Sequence, residues 1–232
     1  MIVNHGHRFI FLKTKKTAGT SIEVALSRYC GPGDIVTRVG PRDEKLRAEL
    51  GYQGAVNHLL PRDRWSVADW FRHSVRGKEI ALYYNHMPAR EVRAQVGEEV
   101  WASHFKFCFE RNPWDRAISA YYWENRNAKR LPDFDEFLRA LQRDGKLSNF
   151  DTYAIDGRIA VDQVMLYERL GAELEGLVQR LDLPAPLDLP RSKGQHRKDR
   201  RPYQEVYSAW GRDFVAGACA REIEAFGYRF ER

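Results

Sequence analysis

The chain lacks any apolar run of membrane-spanning length, and its start, Met1-Ile-Val-Asn-His-Gly-His-Arg8, lacks a secretory signal. Both absences set the expectation of a cytoplasmic protein with no integral membrane segment. Cysteine is scarce. Cys30, Cys108 and Cys219 lie far apart, which argues against a disulfide framework and against a metal cluster. Internal repeats and low-complexity segments are missing too. Nor does one sign of charge dominate: 38 Lys and Arg stand against 32 Asp and Glu, a net charge of +6 spread along the sequence rather than gathered into a nucleic-acid footprint. What remains is the composition of a soluble globular protein, 30% charged and 43% hydrophobic. With 232 residues the chain can bury a sizeable core, and the simplest organisation is one domain, 1–232, with an irregular insertion at about 31–80.

The most informative stretch is Lys13-Thr-Lys-Lys-Thr-Ala-Gly-Thr-Ser21. It follows the apolar run Phe9-Ile-Phe-Leu12 and leads into a helical pattern over 22–28. A strand, a small polar loop and a helix start make an anion cradle. Gly19 lets the backbone approach a ligand, and Thr17, Thr20 and Ser21 offer hydroxyl donors. The helix N-terminus adds the partial positive charge of its N–H groups, and Lys16 adds a full charge. The nucleotide-triphosphate P-loop reads G-x-x-x-x-G-K-[ST], whereas here Lys16 comes three residues before the loop's only glycine. The cradle is P-loop-like without being a Walker loop.

A second cluster runs from Phe105 to Tyr122. Aromatics alternating at 105, 107 and 109 read as a buried strand, and Pro113 suits the first turn of a helix whose apolar face is Trp114, Ala117, Ile118, Tyr121 and Tyr122. Arg111 falls at the strand's end and Ser119 two turns into the helix. Together they can hold a second anion, the guanidinium through bidentate hydrogen bonds suited to phosphate.

The remaining pattern alternates strands and helices. Strands are expected at 8–12, 80–84 and 163–167, and helices at 88–96, 134–141 and 170–181. Pro184, Pro186 and Pro190 precede a basic loop at 191–201, and a last helix shows Val206, Trp210, Phe214 and Ala218 four apart, prolonged by Ile223 and Phe226. This order implies an α/β fold with a central parallel sheet flanked by helices, its ligands bound beyond the carboxyl ends of the strands.

With both clusters in view, the sequence resembles the PAPS-dependent sulfotransferases, in particular the carbohydrate branch that includes the heparan 2-O and chondroitin types. That resemblance implies a P-loop-like three-layer fold in which Lys16, Thr17, Ala18, Gly19, Thr20 and Ser21 hold the 5′-phosphosulfate of 3′-phosphoadenosine 5′-phosphosulfate (PAPS). Arg111 and Ser119 then hold its 3′-phosphate. Asn85-His86-Met87-Pro88 is similar to the family's G-H-x-P-like segment, with asparagine for the usual glycine, which makes His86 the implied catalytic base and Lys16 its catalytic partner. The tail from 192 to 230 resembles the family's closing loop and last helix, so Arg197, Lys198 and Arg201 are implied cofactor contacts. The implied reaction moves a sulfuryl group to an acceptor hydroxyl, most simply on a carbohydrate, releases PAP and needs no metal. The net positive charge then reads as steering for an anionic nucleotide.

Duller explanations exist for each residue. Lys16 taken alone is a solvated loop lysine, Arg111 and Ser119 a structural ion pair and a helix hydroxyl, and His104, beside the second strand, competes with His86 as base. Trp65, Trp70 and Phe71 read either as core of the insertion or as a sugar-stacking platform. Two other functions stay open. A kinase is disfavoured by the displaced lysine and by the lack of an obvious Walker-B aspartate, and an anion- or RNA-binding module is supported only by the charge and the basic loop.

Overall fold

Short runs of β-branched and aromatic residues build the sheet in this computed structural model, which describes residues 1–77, 79–190 and 201–231. Ile2–Asn4 (β1), Phe9–Leu12 (β2), Ile35–Val36 (β3), Phe105–Glu110 (β4) and, after a small hairpin of Ala154–Ile155 (β5) and Arg158–Ile159 (β6), Gln163–Leu166 (β7) are its strands. The five-stranded order is β3-β1-β2-β4-β7. β2, β4 and β7 are parallel, whereas β1 runs antiparallel to both β2 and β3. The helices are Gly19–Leu26 (α1), Pro41–Glu49 (α2), Val67–Arg76 (α3), Ala89–Ser103 (α4), Pro113–Glu124 (α5), Phe134–Arg143 (α6), Phe150–Tyr153 (α7), Leu170–Arg180 (α8), Ala209–Ala218 (α9) and Ala220–Phe226 (α10).

Strand alternation divides the core between the two faces of the sheet. Phe9, Phe11, Phe107, Phe109 and Met165 pack with α1 and α8, while Ile10, Leu12 and Cys108 pack with α4 and α7. Every residue of β2 is buried, as a strand covered on both faces requires. A third core joins α5, α6 and α9 through Trp114, Ile118, Leu138 and Val215. Among the described residues no helix is long and apolar enough to cross a membrane.

Several expected elements are corrected. The sheet is mixed rather than wholly parallel, because Ile2-Val-Asn4 turns back on β2 as a hairpin and recruits β3. The strand expected at 80–84 does not form: Ala81 makes an isolated bridge to Leu59, and the N–H groups of Leu82 and Tyr83 share the His58 carbonyl. These two legs close an excursion that leads directly into His86. The stretch 31–80, which shows no helical pattern of its own in the sequence reading, holds α2 and α3. The helix expected at 88–96 continues to Ser103 across Gly97, whose φ of 82° kinks it. The last helix starts at Ala209, capped by the Ser208 hydroxyl, and breaks at Cys219 into α9 and α10. Trp65 and Trp70 pack edge to face at 4.9 Å, but Phe71 is 69% exposed and belongs to no core.

Candidate functional site

Parallel pairing of β2 with β4, in the register Leu12 to Cys108, releases the loop after Leu12 and the residues after Glu110 side by side at one edge of the sheet. Thr14 ties the two exits together by donating its hydroxyl to the Phe109 carbonyl. Arg111 reaches across as well, its Nη1 donating to the Lys16 carbonyl at 3.2 Å. The two anion clusters of the sequence are therefore neighbours in space.

Within the cradle, Lys16 and Ala18 hold φ of 62° and 60°, left-handed values that non-glycine residues adopt only under constraint. Such alternation turns successive N–H groups into one concavity. Ala18 is the N-cap of α1. It offers no side-chain acceptor, and the first turn carries no acidic residue. By contrast α5 is capped by Asn112 and has Asp115 in its first turn. Thr20 and Ser21 sit half-buried on the first turn of α1. The Thr17 hydroxyl is buried and lies 2.8 Å from that of Thr14. At Gly19 an added Cβ would lie 2.9 Å from Lys13 Cγ and 3.3 Å from the Thr14 carbonyl, so the loop packs closely on itself here. Lys16 stands over the Trp123 ring, 4.8 Å from its centroid.

Arg111 is held in a defined plane. Its Nε and Nη2 donate to Asp115 Oδ2 at 2.8 and 2.7 Å, and its guanidinium stacks 4.2 Å from the Tyr167 ring centroid. Three of its five N–H bonds are thus donated within the described residues. Ser119 lies half-buried two turns further along α5. Arg197 and Lys198 lie outside the described residues.

His86 sits at the mouth of the cradle with φ of 65°. Its Nδ1 is 2.9 Å from the Lys13 carbonyl. A carbonyl only accepts, so Nδ1 carries the ring proton and Nε2 keeps its lone pair. Burial, followed by the charge of Lys13, depresses its pKa from 6.5 to about 4, below the near-neutral value the sequence reading assigns it. Asn85, in the position of the usual glycine, accepts from Lys13 Nζ at 2.9 Å and donates to the Arg38 carbonyl at 2.5 Å. Lys13 in turn pairs with the fully buried Glu23 at 2.8 Å. His104 is elsewhere: it precedes the first residue of β4, at the strand end opposite the cradle, and contacts Ser103 and His5. A six-residue strand spans roughly 20 Å.

A cavity of about 330 Å³ opens beside His86 and Lys15. Gln142, Ser148, Asp151, Thr152 and Arg221 supply its polar lining, with Arg221 and Asp151 paired at 2.9 Å. Burial, followed by the charges of Arg116 and Lys146, lowers the Lys15 pKa. Sequence reasoning found His86 but none of the five polar lining residues, since Gln142 comes from α6, Ser148 from the loop before α7, Asp151 and Thr152 from α7 and Arg221 from α10, and they meet only in three dimensions. A sulfotransferase family model matches residues 1–225 of the chain. An uncharacterized protein of Archaeoglobus fulgidus is 33% identical over 107 residues, which make up 44% of this chain and 88% of that protein.

Proposed function

The chain belongs to the sulfotransferase family, and we propose that it moves a sulfuryl group from PAPS to a hydroxyl of a carbohydrate acceptor with His86 as general base. One observation carries this reading. The Lys16 to Ser21 loop and Arg111 meet at one sheet edge, and His86 bonds to Lys13 at the start of that loop, an arrangement that suits a donor with two anionic ends and an attacking hydroxyl. The residues present fit PAPS. The uncapped, acid-free N-terminus of α1 and the left-handed Lys16 suit the 5′-phosphosulfate, and the guanidinium of Arg111, with Ser119, suits the 3′-phosphate.

PAPS supplies the sulfuryl group and a bisphosphate leaving group. His86 Nε2 accepts the proton of the acceptor hydroxyl as its oxygen bonds to sulfur and the bond from sulfur to the bridging oxygen breaks. Depression of its pKa keeps this ring neutral through the physiological range. Lys16 and the α1 N–H groups stabilise charge that grows on the bridging oxygen, an effect larger in the transition state than in the ground state. Arg111 anchors the remote phosphate and so discriminates PAPS from ATP. The polar cavity beside His86 receives the acceptor. Incubation with radiolabelled PAPS and a panel of carbohydrate acceptors tests the reading: transfer of label abolished in His86→Ala supports it, and absence of transfer to any hydroxyl acceptor counts against it.

A further inference from the structure

Asn149 lies outside both motifs and is 1% exposed, yet it grips the cradle from behind. Its Oδ1 accepts from the Lys15 N–H at 3.0 Å, and its Nδ2 donates to the Lys15 carbonyl at 3.0 Å. One side-chain amide thus clamps both sides of one loop residue. The same Nδ2 donates to Glu110 Oε1 at 3.3 Å, and that oxygen also accepts the Arg111 N–H at 2.9 Å. Tyr153 donates to the other Glu110 oxygen at 3.0 Å. Arg116 lies 3.8 Å from Glu110 and 3.6 Å from Glu222, and Glu222 accepts the Asn149 N–H at 3.0 Å. This buried network joins the ends of both anion sites to α7 and α10.

Peptide geometry gives the clamp a consequence. The Lys15–Lys16 peptide bond is trans, so the carbonyl of Lys15 and the N–H of Lys16 point in opposite directions across one rigid plane. A Lys15 carbonyl drawn inward by Asn149 turns the Lys16 N–H outward, away from the buried network. The same constraint supports the left-handed φ of Lys16, which is strained for a lysine. We propose that Asn149 is a positioning residue. It sets the Lys15–Lys16 peptide so that the Lys16 N–H and side chain face the bound anion, while Glu110 keeps this loop in register with Arg111.

The inference rests on the sulfotransferase reading for the identity of its ligand, so PAP is the probe. Titration calorimetry compares the wild-type chain with Asn149→Ala and Asn149→Asp, each checked for cooperative unfolding without ligand. Loss of two hydrogen bonds that hold the cradle open weakens PAP binding in Asn149→Ala by about 10-fold to 100-fold. Asn149→Asp adds a readout that a merely structural role would not move, and it serves alone if the alanine variant does not fold. Protonated, its carboxyl reproduces the donor and acceptor pair of the amide. Ionised, it sets a second negative charge beside Glu110, among Arg116, Tyr153, Glu222 and Lys15. Its PAP affinity relative to wild type at the same pH therefore approaches one in acid and falls as pH rises, with the ligand's own titration cancelling in the ratio. Unchanged affinity in folded Asn149→Ala, or a pH-independent ratio for Asn149→Asp, overturns the inference while wild-type PAP binding leaves the sulfotransferase reading standing. Failure of the wild type to bind PAP overturns that reading, and the inference with it.

Discussion

Acid titration of the transfer reaction separates a solvent-exposed imidazole from the one seen here. An ordinary histidine base loses activity with an apparent pKa near 6.5, whereas burial and Lys13 hold His86 at about 4. At pH 5.5, the ionisation equilibrium leaves about 97% of the buried ring neutral, against about 9% of an unperturbed one, a roughly ten-fold difference in competent base. The assay measures kcat/KM for PAPS from pH 4 to 8 in wild type and in His86→Gln, which is expected to be slower by about 100-fold or more. Phosphate on PAPS also ionises near pH 6, but it does so for both proteins, so the ratio of the two profiles reports His86 alone. That ratio should stay flat until about pH 5 and fall with a midpoint near 4. In kcat the midpoint moves up, because bound anions favour imidazolium. The same depression has a stability sign. The unfolded chain takes up the proton at 6.5 and the folded chain only near 4, so folding loses stability as pH falls through that window, by about 3 kcal/mol at its end. A ratio that falls with a midpoint near 6.5 would refute the burial argument.

Three further outcomes follow from the same geometry. Gly19→Ala forces a methyl group onto Lys13 and the Thr14 carbonyl, and PAP affinity measured by calorimetry should drop by the equivalent of about 1–3 kcal/mol; unchanged affinity means the loop is not packed as tightly as described. Glu23→Gln leaves Lys13 and Arg47 buried without their carboxylate and should cost about 3–5 kcal/mol in urea unfolding, with a loss under about 1 kcal/mol contradicting the buried charge cluster. Lys16→Ala should lower kcat more than it weakens PAP binding, since its charge acts on the leaving oxygen; a pure affinity loss with kcat intact would assign it to ground-state binding.

The sequence made the two clusters legible because each puts its chemistry on a contiguous run: a strand, a loop and the helix after it. Parallel neighbours then bring Lys16 and Arg111 together by a general rule of α/β sheets. His86 bonds to the loop that follows β2, whereas His104 precedes the first residue of β4, at the other end of that parallel pair. What stayed hidden was pairing between distant segments. Nothing in Ser148-Asn149 marks an asparagine that grips Lys15, and nothing at Asn85 marks an acceptor for the Lys13 ammonium. Local strain was equally invisible: His86, Lys16 and Ala18 take left-handed conformations that their residue types disfavour, and only surrounding contacts hold them there. β1 and β3 were missed because three- and two-residue strands carry too little periodicity to register.

The central claim is a PAP-shaped site built on Arg111. Thermal unfolding of wild type and Arg111→Ala, each with PAP and with ATP, tests it most directly. Ligand that binds only the folded state raises the melting temperature in proportion to its affinity. PAP should raise that of the wild type well above the shift given by ATP. Arg111→Ala, which removes the guanidinium proposed for the 3′-phosphate, should lose most of the PAP shift, an affinity loss of about 100-fold. Equal PAP stabilisation of wild type and Arg111→Ala, or equal stabilisation of the wild type by PAP and ATP, would contradict it.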